Sequence, residues 1–146
     1  MTTPVIKSLT AVLANTYALA VKTHAAHWNV TGTGFFQLHD AFAAQYTALF
    51  EAADDLAERI RALKSKSPLG IKDLGKLTTV SDLSNEHDGV TLATLLRDDH
   101  RLASQGCEAA RAIAEENGDE ATVDMLIARI EEHDKTAWML EAYCSK

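Results

Sequence analysis

Four side chains of metal-ligand type stand in one stretch of the chain: His27, His39, Asp54 and Glu58. Neutral imidazoles and ionised carboxylates are donors that first-row divalent metals accept. Taking His39 as zero on a helix of ~100° per residue, Asp54 falls near ~60° and Glu58 near ~100°, so the three share a face. Along the axis, however, His39 and Glu58 are about 28 Å apart, whereas metal–ligand bonds are only ~2 Å long. One chain cannot bring both to one ion. Two antiparallel copies can. Positions 39 and 58, and likewise 43 and 54, are disposed symmetrically about a point between Ala48 and Leu49. A two-fold crossing there sets His39 beside Glu58 of a second copy and builds two identical sites. The same spacing also fits unrelated polar pairs on a solvated face, and it does not by itself separate the two readings.

The elements that carry these residues are helical. Thr3-Pro4 opens the first, with Thr3 as N-cap, and Val5, Leu9, Val12, Leu13, Thr16, Leu19 and Ala20 keep helical spacing towards Val30. His24 and His27 share a face near its end. Gly32 and Gly34 punctuate the chain. A second helix over about 35–64 has the apolar stripe Phe35, Leu38, Phe42, Tyr46, Leu49, Ala53, Leu56, Ile60 and Leu63. Ser67-Pro68-Leu69-Gly70 breaks it. A long connection over 68–90 follows, with room for a short helix at 71–77. A third helix over about 91–116 buries Leu92, Leu95, Leu96, Leu102, Ala103, Ala110 and Ile113, and Asn117-Gly118 stops it. Asp119 caps a fourth, whose apolar positions are Val123, Leu126, Ile127, Ile130, Trp138, Leu140 and Tyr143. These elements predict an all-α four-helix bundle, with a short extra helix in a crossover between parallel second and third helices.

The chain has 146 residues, 47% of them hydrophobic, with two prolines and seven glycines. That suits one domain over 1–146 with a packed core. No basic-then-apolar leader and no uninterrupted apolar stretch of membrane length are present, so a soluble, cytoplasmic protein without membrane partners is expected. Cys107 and Cys144 have no CxxC spacing and read as packing thiols. The net charge is −7. Nucleic-acid affinity rests on Lys and Arg neutralising phosphates, and the ends, MTTPVIK and CSK, carry one lysine each. Strong DNA binding is therefore not expected.

His27-Trp28-Asn29-Val30-x-Gly32, then Phe35-x-x-Leu38-His39, Tyr46 and Asp54-x-x-Ala57-Glu58-Arg59, resemble the Dps family, the ferritin-like mini-cages named as DNA-binding proteins from starved cells. Asp119-Glu120-x-Thr122-x-Asp124-x-Leu126 and His133-x-Lys135-x-x-Trp138-Met139 extend the resemblance over nearly the whole chain. It implies a ferritin-like bundle in a dodecameric shell of two-fold dimers. Such a shell binds Fe(II) between subunits, oxidises it preferentially with hydrogen peroxide, and stores Fe(III) mineral against oxidative damage. By resemblance, one subunit gives His27 and His39 and its partner gives Asp54 and Glu58. Trp28 packs beside them and is placed to donate electrons. Glu115, Glu120 and Asp124 fall where the family has three-fold pores, and an acidic ring there would attract Fe(II). The residues three before each histidine are Val21, His24, Phe36, Ser84, Arg97 and Ile130. None is Glu, so the Glu-x-x-His of di-iron sites inside a bundle is missing.

One ligand departs from the pattern. Four residues after His39 the family usually carries Asp or Glu, and here Ala43 stands. His24, one turn before His27, is the candidate replacement; Asp40 and Glu51 point away from the arc of ligands. A nitrogen-richer donor set moves preference towards Zn(II). The rival readings are a cage whose site is zinc-occupied or weakly active, and a DNA-compacting protein.

Overall fold

The computed structural model of the protein describes residues 3–145; Met1, Thr2 and Lys146, which belong to the two ends weighed above for basic charge, lie outside the described residues. The described residues form α1 (Thr3–Asn29), α2 (Phe35–Ala62), α3 (Ile71–Leu77), α4 (Gly89–Glu116) and α5 (Glu120–Cys144). All five fall where periodicity and breakers put them, and the extra helix sits in the crossover as expected. Two ends differ. Thr3 is already helical, so it is not the cap. And α2 stops before Pro68 can act. Lys64 adopts a left-handed φ of 70°, its amide donates to the Arg61 carbonyl, and the Ser65 amide donates to that of Ile60. That is a Schellman closure with lysine in the position glycine prefers. The end of α4 closes the same way with the expected residue, Gly118 at φ 70°.

α1 packs along α2, α4 packs along α5, and α1 against α4 joins the two hairpins, while α2 meets α5 only sparsely. α3 lies on α1, where the Thr78 hydroxyl and the Thr79 amide both donate to Asn15 Oδ1 at 2.8 Å. The crossover ends where α2 began. The Thr31 amide donates to the His87 carbonyl at 2.9 Å, and Asp88 caps α4 by accepting from the Thr91 amide at 3.0 Å. α2 and α4 therefore run parallel, which is the arrangement that demands a crossover. The turn into α2 is pinned from the far end of the chain. Gly34, at φ 83°, lies so close under the Tyr143 ring that a Cβ would collide with the phenol oxygen, and that hydroxyl donates to the Thr33 carbonyl at 3.2 Å.

Leu38, Phe42, Leu49, Ala53, Leu56 and Ile60 of the α2 stripe are buried. Three expected core residues are not: Leu102 and Trp138 are each 64% exposed and Ile127 is 43% exposed. Helical phase explains all three. The buried series on α4 is Leu96, His100, Ala103, Cys107, Ala110 and Ala114, and on α5 it includes Leu126, His133, Ala137 and Leu140. Leu102, Ile127 and Trp138 each fall one position beside these series. α1, though interrupted by Lys7 and Lys22, is the one described helix long and apolar enough on average to cross a membrane. Its apolar side is the one packed on α2 and α4. Lys22 is itself buried and pairs with Asp99 of α4 at 2.7 Å.

Candidate metal centre

The turn over 30–34 folds the last turn of α1 onto the start of α2 and brings His27 and His39 face to face. Their rings stack with centroids 3.7 Å apart and planes 14° from parallel. Each ring also binds the other residue's backbone: His27 Nδ1 lies 2.7 Å from the His39 carbonyl, and His39 Nδ1 lies 2.8 Å from the His27 carbonyl. The His27 carbonyl belongs to the last turn of α1, where carbonyls lack partners within the helix. A carbonyl only accepts, so each Nδ1 carries the proton and donates. The lone pair of both rings is thereby placed on Nε2. Fixing a tautomer through the second nitrogen is how proteins prepare histidine for a metal.

Asp54 and Glu58 stand one turn apart on the exposed face of the same unbroken α2. Glu58 is held above its ordinary carboxyl range, first by repulsion from Asp54, then by the hydrogen bond the two carboxyl groups share. Crowded like charges of this kind are relieved by a cation. Within one chain the two pairs remain separate. Among the described residues, no three His, Cys, Asp or Glu side chains converge on one point.

His24 does not stack on His27; their centroids are 6.2 Å apart. Its ring lies between Trp28 and Tyr46, each at 4.1 Å between centroids. Tyr46 also meets His27 edge-on at 5.3 Å. Trp28 is 64% exposed, beside the histidine pair. The sequence reading missed this stack, although His24 and Trp28 stand one turn apart and Tyr46 belongs to the stripe. Ala43 is half-buried and offers only a methyl group.

Arg59, next to Glu58, ties the end of α2 to the start of α5. Its Nη2 donates to Asp119 Oδ1 at 2.7 Å and its Nε to Thr122 Oγ1 at 3.0 Å. Asp119 in turn caps α5 by accepting from the Thr122 amide at 3.2 Å. Burial raises the Asp119 pKa, but hydrogen bonds from the Thr122 hydroxyl and amide and from Arg59 outweigh it and hold the carboxyl below its usual range. Of the three acidic residues assigned to a pore, Glu115 is already paired with Arg111 at 2.9 Å. Glu120 and Asp124 are exposed on the first turns of α5 and have no ion pair among the described residues.

A family model for the ferritin-like domain matches residues 6–146. General stress protein 20U of Bacillus subtilis is 32% identical over 98% of this chain and 99% of its own length. The DNA protection during starvation protein of Porphyromonas gingivalis is 34% identical over 98% of this chain and 90% of its own. The crystal structure of the Dps protein of Vibrio cholerae O1, described as a member of the ferritin-like diiron-carboxylate superfamily, superposes with a TM-score of 0.93 at 30% identity, covering 97% of this chain and 89% of that one. The parallel crossover bundle and these matches over nearly the full length make this chain a member of the Dps family of ferritin-like proteins.

Proposed function

We propose that the protein is a mini-ferritin that oxidises Fe(II), preferentially with hydrogen peroxide, at sites shared across a two-fold dimer, and stores the Fe(III) product inside a dodecameric cytoplasmic shell. The observation that carries this reading is the tautomer lock: two stacked histidines, each presenting Nε2, at one end of a helix face whose other end holds two repelling carboxylates. An antiparallel crossing of two α2 helices brings each histidine pair to the partner's carboxylates. Glu58 would be the bridging or tightest ligand, with Asp54 and the His27 and His39 imidazoles completing the donor set. Each Fe(II) gives up one electron. Two of them break the O–O bond of one peroxide and, with two protons, yield two waters without releasing hydroxyl radical.

The test is the initial rate of Fe(II) oxidation on adding peroxide, against a protein-free control. A rate well above the control is expected, and a rate equal to it would overturn the reading. One observation favours a second reading: two nitrogen donors beside Ala43 suit Zn(II). In that case one Zn(II) per site would abolish the rate, and the protein would purify with zinc.

His24 is the proposed substitute for the acidic ligand that Ala43 lacks. His24→Phe keeps a ring between Trp28 and Tyr46 but removes the nitrogens. A ligand role predicts at least about a tenfold fall in oxidation rate, whereas a packing role leaves the rate unchanged. At the proposed pore, the double variant Glu120→Gln with Asp124→Asn is expected to slow iron entry several-fold at low ionic strength and much less at high salt, because the attraction is a screened long-range field. An uptake rate independent of salt in both proteins would refute the pore assignment. Strong DNA binding is not proposed; a retarded band at low salt would contradict that.

A further inference from the structure

The interior of the bundle holds a second polar constellation, remote in sequence from the proposed ligands. On α4, His100 lies between the buried Leu96 and Cys107; on α5, His133 lies between the buried Leu126 and Leu140. The two rings are 2% and 0% exposed. His100 Nδ1 and His133 Nδ1 are 2.9 Å apart, and Arg129 Nη2 lies 3.3 Å from His133 Nε2. These contacts fix the protons by elimination. A guanidinium only donates, so His133 Nε2 accepts. Neutral His133 then carries its proton on Nδ1 and donates to His100 Nδ1. His100 is left with its proton on Nε2. Burial keeps both rings neutral, since it penalises the charged form.

That His100 Nε2–H has no partner among the described residues. Neither does the buried Arg129 Nε–H, nor the buried Oε1 of Gln45 on α2. All three residues line one cavity of about 30 Å³, together with Ala48, Leu49, Glu132, His133 and Thr136. A single water needs roughly 10–15 Å³ measured in this way. The buried unpartnered atoms around the space are two donors and one acceptor. A metal cation would meet two N–H groups and a guanidinium charge, against which the lining sets only the solvent-exposed Glu132. An anion would meet the Gln45 carbonyl oxygen. Water satisfies all three, and an unpaired buried polar group is costly enough to make such satisfaction the rule.

We infer that one water molecule is an integral ligand of the bundle interior, accepting from His100 Nε2 and Arg129 Nε and donating to Gln45 Oε1. It completes a directional chain running Arg129, His133, His100, water, Gln45. It also gives α2, which touches α5 only sparsely, a polar tie to the α4–α5 pair. Ala48, Arg129 and Glu132 line both this cavity and the wider cleft of about 460 Å³ between α2 and α5, which supplies an entry path.

The test is diffraction from crystals of the assembled protein, native and soaked separately in sodium bromide and zinc chloride. The expected result is a peak within ~2.7–3.2 Å of the three atoms, without anomalous signal in either soak. A bromide signal would mean that the Gln45 amide is reversed and the site binds anions. A zinc signal would mean a two-histidine metal site. Either result, or a dry cavity, overturns the proposal. Gln45→Met, which keeps length but loses the acceptor, is expected to lose the peak. Nitrogen-15 spectra of histidine-labelled native protein give a second reading independent of any variant: protonation at Nδ1 of His133 and Nε2 of His100 is expected, and the reverse assignment refutes the chain.

Discussion

Glu58→Gln is expected to cut peroxide-dependent Fe(II) oxidation by on the order of 100-fold or more, because it removes a proposed ligand, and even a group that only supports a ligand is worth ~10–100-fold. The replacement is nearly isosteric and the position is exposed, so folding should survive. The double variant His27→Ala with His39→Ala should be equally inactive. The decisive experiment combines the two inactive proteins. In a two-fold dimer made of one chain of each kind, one site receives the intact histidines of the Glu58→Gln chain and the intact carboxylates of the other chain. Its other site receives neither. Random pairing on co-expression makes about half the dimers mixed, so about one quarter of all sites should recover. A site built within one chain recovers nothing. Activity near one quarter of the native rate would establish the antiparallel crossing of α2, and a co-expressed protein as inactive as its parents would reject it.

That experiment rests on a pattern legible in the sequence, and the limits of legibility are instructive. The α2 stripe was readable because its apolar residues are large and its phase unbroken from Leu38 to Ile60. The α4 and α5 faces were harder. There, Ala103, Cys107 and Ala110 are buried as read, but Ala114 and Ala137, small residues that give little signal, were passed over, while the larger Leu102 and Trp138, read as core, face outward. Reading by residue size favoured the wrong members; reading by phase would have put His100 and His133 in the core. The proposed site was legible as a set of residue types at suggestive positions. What the sequence did not contain was the reciprocal bond between each imidazole and the other histidine's carbonyl, because it depends on how the turn over 30–34 folds back. Nor did it show that Trp28 and Tyr46 hold His24 between them, since no spacing rule links residues 24 and 46 across two helices.

The buried pair His100 and His133 should make the protein acid-sensitive in a defined window. Burial, followed for His100 by Arg129 and for His133 by His100 and then Arg129, pushes their pKa values down from the usual 6.5 to about 3 and about 2. Below pH 6.5 the unfolded chain takes up protons that the native protein refuses. Stability from the pair is therefore fully present above that pH and is lost as the pH falls towards 3. Each ring contributes a slope of about 1 kcal/mol per pH unit. Because the two share one hydrogen bond, they titrate as a pair rather than independently. Between pH 6.5 and 4.5 the pair should cost the native state on the order of 4 kcal/mol, enough to lower a urea midpoint by roughly 1–2 M. The comparison that isolates the effect is with the double variant His100→Gln and His133→Gln, whose amides hydrogen-bond without titrating. That variant should begin less stable at pH 8, because glutamine reproduces the Arg129 contact imperfectly, yet lose distinctly less on acidification. Midpoints of both proteins measured from pH 8 to 4.5 should converge. Parallel curves would show that the pair is not neutral in the native state, and would remove the tautomer assignment on which the interior water also depends.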